Sequence, residues 1–364
     1  MRIVSHLDMD AFFSAIEERD NSRFRGHPIV VGSDPRAGKG RGVVSTANYK
    51  ARKYGIRSAI PISVAWEYAE LARKRGDDPV IFLGVDMEKY NAASSNIRSI
   101  VESFGYTIEQ ASIDEFYIDC SKCKTYDGAK KLLHKIKSKI LEKESLCCSV
   151  GIGPNKLIAK IASDFKKPNG FTLVREGDIQ SFLSPMSVSK IPGIGPKSVD
   201  LLLKMNIKIV EELLNISRKD LEEKFGKSGI QIYQKARGID DEKVEESYEV
   251  KSIGSQETFS KDTHDAVKII DMAKSLVVAT YERFLDSHFT SFSRISISVR
   301  FSDFTTVQRS QTFLKPLLTK KDLEFVTIGM FLSFLDSREN KERKAIRLMG
   351  IRLEKLNRQK ELFS

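Results

Sequence analysis

The sequence predicts a multidomain chain: an α/β unit first, a helical segment after it, and a smaller α+β unit last. Three patterns carry this. Strand-like and helix-like runs alternate as far as residue 165, as a layered α/β core requires. Residues 187–237 then read as almost all helical. Beyond a densely charged stretch, DDEKVEESYEVKS (240–252), two runs alternate apolar and polar residues with the period of a strand.

Each element follows from its own residues. Residues 3–8 (IVSHLD) are an apolar-rich strand ending in acid, and 12–19 (FFSAIEER) are a helix. PIVVG (28–32) is a buried strand, and SDPRAGKGRG (33–42) is a Gly, Pro and basic loop. GVVSTANYKARKYG (42–55) supplies a short strand, a Thr/Asn helix start and a basic helix closed by Gly55. VIFL (80–83) is a strand, 86–104 a long amphipathic helix, and IEQASIDEFYID (108–119) two strands about a tight acidic turn. A Lys-rich helix follows at 127–144, a strand and turn at 149–153, and a helix at 155–165. IPGIGPKS and FGKSG punctuate the helical stretch. RISISVRF (294–301) and TTVQRSQTF (305–313) are antiparallel strands, with helices near 264–284 and 320–335 and a last strand near 346–356. No internal repeat is evident.

Composition narrows the classes. In 364 residues, 41% are hydrophobic and 30% charged, enough apolar material for sizeable cores. Sixty basic residues against 49 acidic leave a formal charge of +11, spread along the chain, which suits a polyanionic partner. No run approaches the ~18 apolar residues of a membrane helix. The N-terminal MRIVSHLDMD is too acidic for a signal peptide, and four cysteines fit a reducing cytosol, so a cytoplasmic protein is expected. Cys120 and Cys123 form a lone C-x-x-C with no second pair at zinc spacing, while Cys147 and Cys148 are adjacent. No G-x-S-x-G or Walker A run is present, which argues against a serine hydrolase or a P-loop ATPase.

The carboxylates are the most telling feature. Asp8 and Asp10 lie two apart at a strand end, and residues i and i+2 of a strand share a face. Asp114 and Glu115 lie at a second strand end or turn. If those ends adjoin, like charges repel and raise one another's pKa; a divalent cation removes that penalty. Mg²⁺ takes hard oxygen ligands, commonly a few carboxylates with substrate phosphate and water. Two such ions serve phosphoryl transfer by activating one oxygen and stabilising another. The plainer reading is capping: Asp10 precedes the helix at 12, where Asp is a favoured N-cap.

HLDMDAFFSAIEE, STANYKARKYGIRSAIP, ASIDEFYID and SVGIGPNKLIAKIASDFKKPNG appear in that order, followed by IPGIGPKS and KSIGSQETF. Together they closely resemble the Y-family DNA polymerases of the DinB, or DNA polymerase IV, type. The resemblance implies a right-hand architecture. Its parts would be palm (1–34 and 77–165), small fingers (35–76), a helix-hairpin-helix thumb (166–240), a linker (241–252), an α+β little finger (253–356) and a tail (357–364). It implies a template-directed, Mg²⁺-dependent, low-fidelity translesion polymerase. Such an enzyme adds deoxynucleotides to the 3′ end of a primer–template DNA and releases pyrophosphate.

It also implies roles. Asp8 and Asp114 would ligate two Mg²⁺ ions, the Met9 carbonyl would add an oxygen, and Glu115 would be the third carboxylate, near the primer 3′-hydroxyl. Phe12 and Phe13 open a helix whose first N–H groups suit phosphate oxygens. Phe13 stands at the family's steric gate against a ribose 2′-hydroxyl. Tyr49 and Arg52, three apart on one helix face, would grip the β- and γ-phosphates with Thr46 near the helix start. Lys167 would reach the same triphosphate, Lys166 is a solvated charge, and Lys160 belongs to a helix face or faces DNA. Val43 and Ala59 are small finger residues near the nascent base pair; Ala11 is small where some relatives carry an aromatic residue.

Residues 190–206 (KIPGIGPKSVDLLLKMN) read as a helix-hairpin-helix, in which the Gly193–Gly195 turn offers backbone N–H groups to a phosphate and Lys197 adds charge. They are not a dinucleotide fingerprint, because Ser198 takes the third Gly position and no strand precedes. FGKSG (225–229) is a candidate second hairpin. Arg294, Arg300 and Arg309 fall on little-finger strands, where alternation must place each on a face, and some of them are expected at phosphates, which position DNA without reading its sequence. The tail QKELFS resembles a sliding-clamp peptide anchored by Gln359, Leu362 and Phe363, so a clamp is an expected partner of a monomeric enzyme. A non-catalytic DNA-binding scaffold is the competing reading, and it needs none of the acids or phosphate grips. A transferase restricted to one nucleotide would need protein groups in place of the template base, and none is identifiable.

Overall fold

Six consecutive buried residues form β1 (Val4–Met9), and both of its faces are covered. After it come α1 (Phe12–Asp20), β2 (Ile29–Gly32), β3 (Val44–Ala47), α2 (Tyr49–Lys53), α3 (Ile62–Lys74), β4 (Ile81–Leu83), α4 (Met87–Glu102), β5 (Ile108–Gln110) and β6 (Glu115–Asp119). Then follow α5 (Tyr126–Glu144), β7 (Cys148–Gly153), α6 (Lys156–Phe165) and β8 (Phe171–Leu173). The main sheet runs β5-β6-β1-β7-β8, with β1 antiparallel to both neighbours. Strand alternation sorts β1 into two sets. Leu7 and Met9 join Ile97, Val101, Leu133 and Ile136 of α4 and α5 in one core. Val4 meets Tyr117 and Ala159 of α6 on the other side. This computed structural model describes residues 1–246, 250–336 and 338–358, so the tail residues Gln359, Leu362 and Phe363 lie outside the described residues.

A smaller sheet, β3-β2-β4, packs on α3. The sequence reading assigned nothing to α3, and its buried face explains why: apart from Ile62 it is made of Ala65, Ala69 and Ala72, which give a weak apolar stripe. Asn48 caps α2, with its side chain accepting from the Ala51 N–H, whereas Thr46 sits within β3 opposite Val31. Asp10 does not cap α1. The N-cap is Ala11, in the left-handed region at φ 49, and no side chain takes the first-turn N–H groups.

The helical stretch contains α7 (Ile179–Leu183), α8 (Pro196–Lys204), α9 (Val210–Leu214), α10 (Arg218–Phe225) and α11 (Lys227–Ala236) around Leu183, Val188, Leu202, Val210, Leu213 and Ile232. Only one helical turn, Val188–Lys190, precedes the Gly193–Gly195 turn. Gly193 has φ +91, which explains the glycine.

The chain divides into two compact units, Met1–Ser247 and Tyr248–Ser364. The second contains β9 (Ser252–Thr263), α12 (Ala266–Leu285), β10 (Phe289–Phe301), β11 (Thr306–Leu317), α13 (Lys320–Leu332) and β12 (Ile346–Arg358). Its sheet, β11-β10-β12-β9, is antiparallel throughout. The inward residues Ile295, Ile297 and Val299 pack with Leu276 and Val277 of α12 and Phe331 of α13. Strand β9 was not anticipated. Only Ile253 and Phe259 in it are buried, so it lacks apolar alternation, and its pairing with β12 holds it. Among the described residues no helix is long and apolar enough to cross a membrane.

Candidate functional site

Antiparallel register builds the site. Asp8 of β1 lies opposite Glu115 of β6, and His6 lies opposite Tyr117. Directly opposed residues share a face, so Asp8, His6 and Glu115 all project toward α6. That helix brings cations at matching steps. Lys156 reaches Glu109 at 2.6 Å, Lys160 reaches Glu115 at 2.5 Å, and Lys167, just past the helix end, reaches Asp8 at 2.7 Å. Lys167 is shared with Asp164 at 2.9 Å. His6 is fully buried, with Nδ1 2.8 Å from the Ser163 hydroxyl and Nε2 3.5 Å from Glu115.

The carboxylates are unequal. Burial pushes Asp8 up to about 7, with Glu115 and Asp164 adding repulsion that Lys167 only partly offsets. Glu115 is held low, to about 2, by His6 and then Lys160, against its own desolvation. At 3.5 Å the His6 contact is long, which makes Lys160 the firmer anchor. Burial works against the Lys167 ammonium, but Asp8 and Asp164 more than offset it and raise its pKa. Burial also lowers the His6 pKa, against the pull of Glu115, which raises it.

Asp114 stands at the same strand end. Its backbone carbonyl accepts the Met9 N–H at 3.0 Å, while its carboxylate accepts the Ser112 hydroxyl at 2.7 Å. Met9 itself is buried in the core, so only its backbone remains for the edge. Here the structure departs from the expected shared cation site. Among the described residues no three acidic, His or Cys groups are gathered as a metal cage, and Lys167, Lys160 and Ser112 each engage one carboxylate. The donor chemistry nevertheless fits a hard divalent cation. It comprises hard oxygens on adjacent strand ends, one belonging to a buried carboxylate whose charge is poorly compensated.

The phosphate-gripping candidates gather nearby. Tyr49 and Arg52 do share a face of α2. The Arg52 guanidinium lies 4.5 Å above the Tyr49 ring, and its Nε donates to the Ala47 carbonyl at 2.9 Å. Tyr49 donates its hydroxyl to Asp10 at 3.2 Å, and burial together with Asp10 pushes its pKa up to about 12, so it remains a donor. Phe12 is buried. Phe13 stacks on Tyr90, with centroids 4.1 Å apart and planes 11° apart, and the Tyr90 hydroxyl donates to Glu17 at 2.6 Å. Val43 is exposed, and Ala59 has φ +69.

Three partners escaped the sequence reading. Lys160 reads from sequence as a helix-face or DNA-facing charge, yet it lies four residues after Lys156 on the same face of α6, the face that meets the carboxylates. His6 was recoverable as the residue two before Asp8. Asp10 was read as a cap, whereas it accepts from Tyr49, from the Ser149 hydroxyl at 2.8 Å and from the Asn169 N–H at 2.7 Å.

In the second unit the outer sheet face is open and polar. Arg294, Ser296, Ser298 and Arg300 of β10 alternate with the buried residues, opposite Thr312, Ser310, Gln308 and Thr306 of β11. Arg352 lies beside Ser296 on the same face and was not singled out from the sequence. Gly350 keeps this face low, since a Cβ there would meet the Ser298 hydroxyl at 2.6 Å. Alternation separates Arg309 from the other two arginines. Arg309 lies opposite inward-facing Ile297, on the other side of the sheet, and is ion-paired with Glu339. In the thumb region Gly193, Gly195 and Lys197 are exposed.

Known proteins share this pattern. The impB/mucB/samB family model matches residues 7–164 and its C-terminal domain 250–362, while a DNA polymerase-iota thumb domain matches 189–240. DNA polymerase IV 2 of Methanosarcina mazei is 40% identical, covering 99% of this chain and 94% of its own length. The DNA polymerase IV of Streptococcus gordonii is 37% identical, covering 96% and 95%. A Y-family polymerase chimera of Dbh and Dpo4 aligns with a TM-score of 0.85 at 29% identity, covering 98% of this chain and all of its own. DinB from Sulfolobus solfataricus aligns at 0.63, with 29% identity and the same coverage. The chain belongs to the impB/mucB/samB family, the Y-family DNA polymerases. Within it, the relatives just described from Methanosarcina and Streptococcus are DNA polymerases IV.

Proposed function

We propose that this chain is a template-directed DNA polymerase that extends a primer 3′ end with deoxynucleotides, releases pyrophosphate, and copies damaged templates with low fidelity. The observation that carries it is Asp8 facing Glu115 across β1 and β6, with Asp114 at the same edge. Asp8, Asp114, Glu115 and the Met9 carbonyl would hold two Mg²⁺ ions. When bound, such ions lower the pKa of the attacking hydroxyl and neutralise charge on the triphosphate.

The protein groups bind and orient. Tyr49, Arg52, Thr46 and Lys167 hold the β- and γ-phosphates, aided by the first-turn N–H groups at Phe12 and Phe13. The Phe13 ring, backed by Tyr90, excludes a 2′-hydroxyl by contact. A fingers segment with a small sheet and exposed Val43 leaves the nascent pair loosely enclosed, which supports low fidelity and lesion bypass. Gly193, Gly195 and Lys197 grip the DNA backbone in one unit. Arg294 and Arg300 do so in the other, without Arg309. Gln359, Leu362 and Phe363 are proposed to anchor a sliding clamp, with the enzyme a cytoplasmic monomer. A non-catalytic scaffold has no use for the ordered acid and lysine pairs.

Primer extension on undamaged and abasic templates tests this, with wild type beside Asp114→Ala. Wild type should extend both with Mg²⁺ and the variant neither. An inert wild type, or a variant of equal activity, overturns the reading.

A further inference from the structure

One buried carboxylate joins three separate elements behind the acidic edge. Asp10 is only 6% exposed. Its Oδ1 accepts the Ser149 hydroxyl of β7 at 2.8 Å and the Tyr49 hydroxyl of α2 at 3.2 Å, and its Oδ2 accepts the Asn169 N–H at 2.7 Å. The Ser149 hydroxyl oxygen in turn accepts the Gly170 N–H at 3.1 Å. The loop that carries Lys167 therefore gives two consecutive N–H groups to Asp10 and Ser149, while its Asn169 and Gly170 carbonyls accept from Lys137 Nζ at 2.8 and 3.1 Å and the Gly170 carbonyl also from the Val150 N–H at 3.0 Å. Helix α2 hangs on the same carboxylate through Tyr49, and the Tyr49 ring is the shelf beneath the Arg52 guanidinium.

Close packing is incomplete on one side of this group. A cavity of about 720 Å³ opens beside Asp10, Tyr49, Asn48, Pro168 and Asn169, so both the ring and the loop border empty space. Where packing leaves room to move, hydrogen bonds to a buried acceptor set the position, and removing the acceptor strands its donors.

We propose that Asp10 is a positioning residue for triphosphate binding, holding Tyr49 with its stacked Arg52 at a fixed spacing from Lys167 so that the two grips act together. This rests on the reading of the site given above. Asp10 does not touch the reacting atoms. It acts through Tyr49 and through the 166–170 loop.

Single-nucleotide incorporation on a primer–template with Mg²⁺ tests it, with KM for the nucleotide separated from kcat and an unfolding midpoint for each protein. The proteins are wild type, Asp10→Asn, Asp10→Ala, Tyr49→Phe, and Asp10→Ala combined with Tyr49→Phe. Asp10→Ala should raise KM about tenfold or more while kcat falls less. Asp10→Asn keeps an acceptor for the Asn169 N–H and a polar group for the two hydroxyls, so it should recover most of that loss. The combined variant should be no worse than Asp10→Ala, because the Tyr49 hydroxyl works through Asp10.

A carboxylate that merely supports the fold would lower the midpoint and kcat with KM unmoved. That outcome, or additive effects in the combined variant, overturns the proposal. If Asp10→Ala does not fold, an unchanged KM in Tyr49→Phe, which removes the hydroxyl that Asp10 holds, overturns it instead. A wild type that incorporates nothing overturns the polymerase reading and the positioning role together, whereas an active wild type with unmoved KM values overturns only the role of Asp10.

Discussion

The acidic edge of the main sheet and the open face of the second unit's sheet are both polar surfaces on antiparallel strands, built on opposite plans. At the acidic edge the charged groups are interlocked: Lys167 on Asp8, Lys160 on Glu115, and three donors on Asp10. The open face is loose. Of its β10 side chains, Arg294, Ser296 and Arg300 bond the short Thr312, Ser310 and Thr306 at about 3 Å, and Arg294 makes a longer 3.6 Å contact with Glu354. The difference follows from the tasks. Reacting atoms must be held close to their transition-state geometry, so Asp8 and Asp10 are buried, Asp114 and Glu115 half-buried, and most of these acids are tied to a fixed partner. A duplex that must shift by one nucleotide at each addition is better held by exposed phosphate contacts that re-form at any register.

That contrast can be broken most severely at the edge. Asp8→Ala or Asp114→Ala should lower primer extension by about 10³-fold or more while DNA affinity stays within about twofold. Gel-based extension and fluorescence anisotropy measure the two, and a parallel loss of both would mean that the edge also holds DNA. Next, Lys160→Ala removes the 2.5 Å anchor of Glu115. Extension should fall about tenfold or more, with partial recovery in Lys160→Arg; an unchanged rate would show that His6 alone suffices.

A pH effect of intermediate size follows from Asp8. Burial holds its folded pKa up near 7, above the ordinary value near 3.8, so the folded chain keeps a proton that the unfolded chain has already released. Its contribution to stability is complete below about pH 4 and is lost as the pH rises through 7, on the order of 4 kcal/mol. Denaturant unfolding in cation-free buffer between pH 4 and 8 should show this decline in wild type and not in Asp8→Asn. The smallest effects belong to the open face. Arg294→Ala and Arg300→Ala should each weaken DNA binding a few-fold and flatten its salt dependence by about one unit of slope. Arg309→Ala should leave the slope unaltered, since Arg309 is on the other face and paired with Glu339. Equal effects at all three would deny the distinction between the faces.

Much of this was legible from local pattern. The first strand with its terminal acids, the amphipathic helices and the alternating strand at 294–301 all announce themselves through period and capping residues. Helix α3 and strand β9 did not, because alanine faces and sparse apolar residues leave little periodic signal. At the site, the acids were visible as a group and their partners were not. Lys160 looks like any lysine of an amphipathic helix until α6 packs on β1 and β7 and brings it to Glu115.

The sequence by itself determined which residue types stand at the strand ends and helix starts, because those depend on spacing within a few residues of chain. Tertiary structure decided who faces whom. Asp10 meets Ser149, 139 positions away, only because β1 pairs with β7, and Arg309 turns away from Arg294 only because of its register with β10. Pairing between distant strands is set by burial of both faces at once, and no local run of residues contains that information.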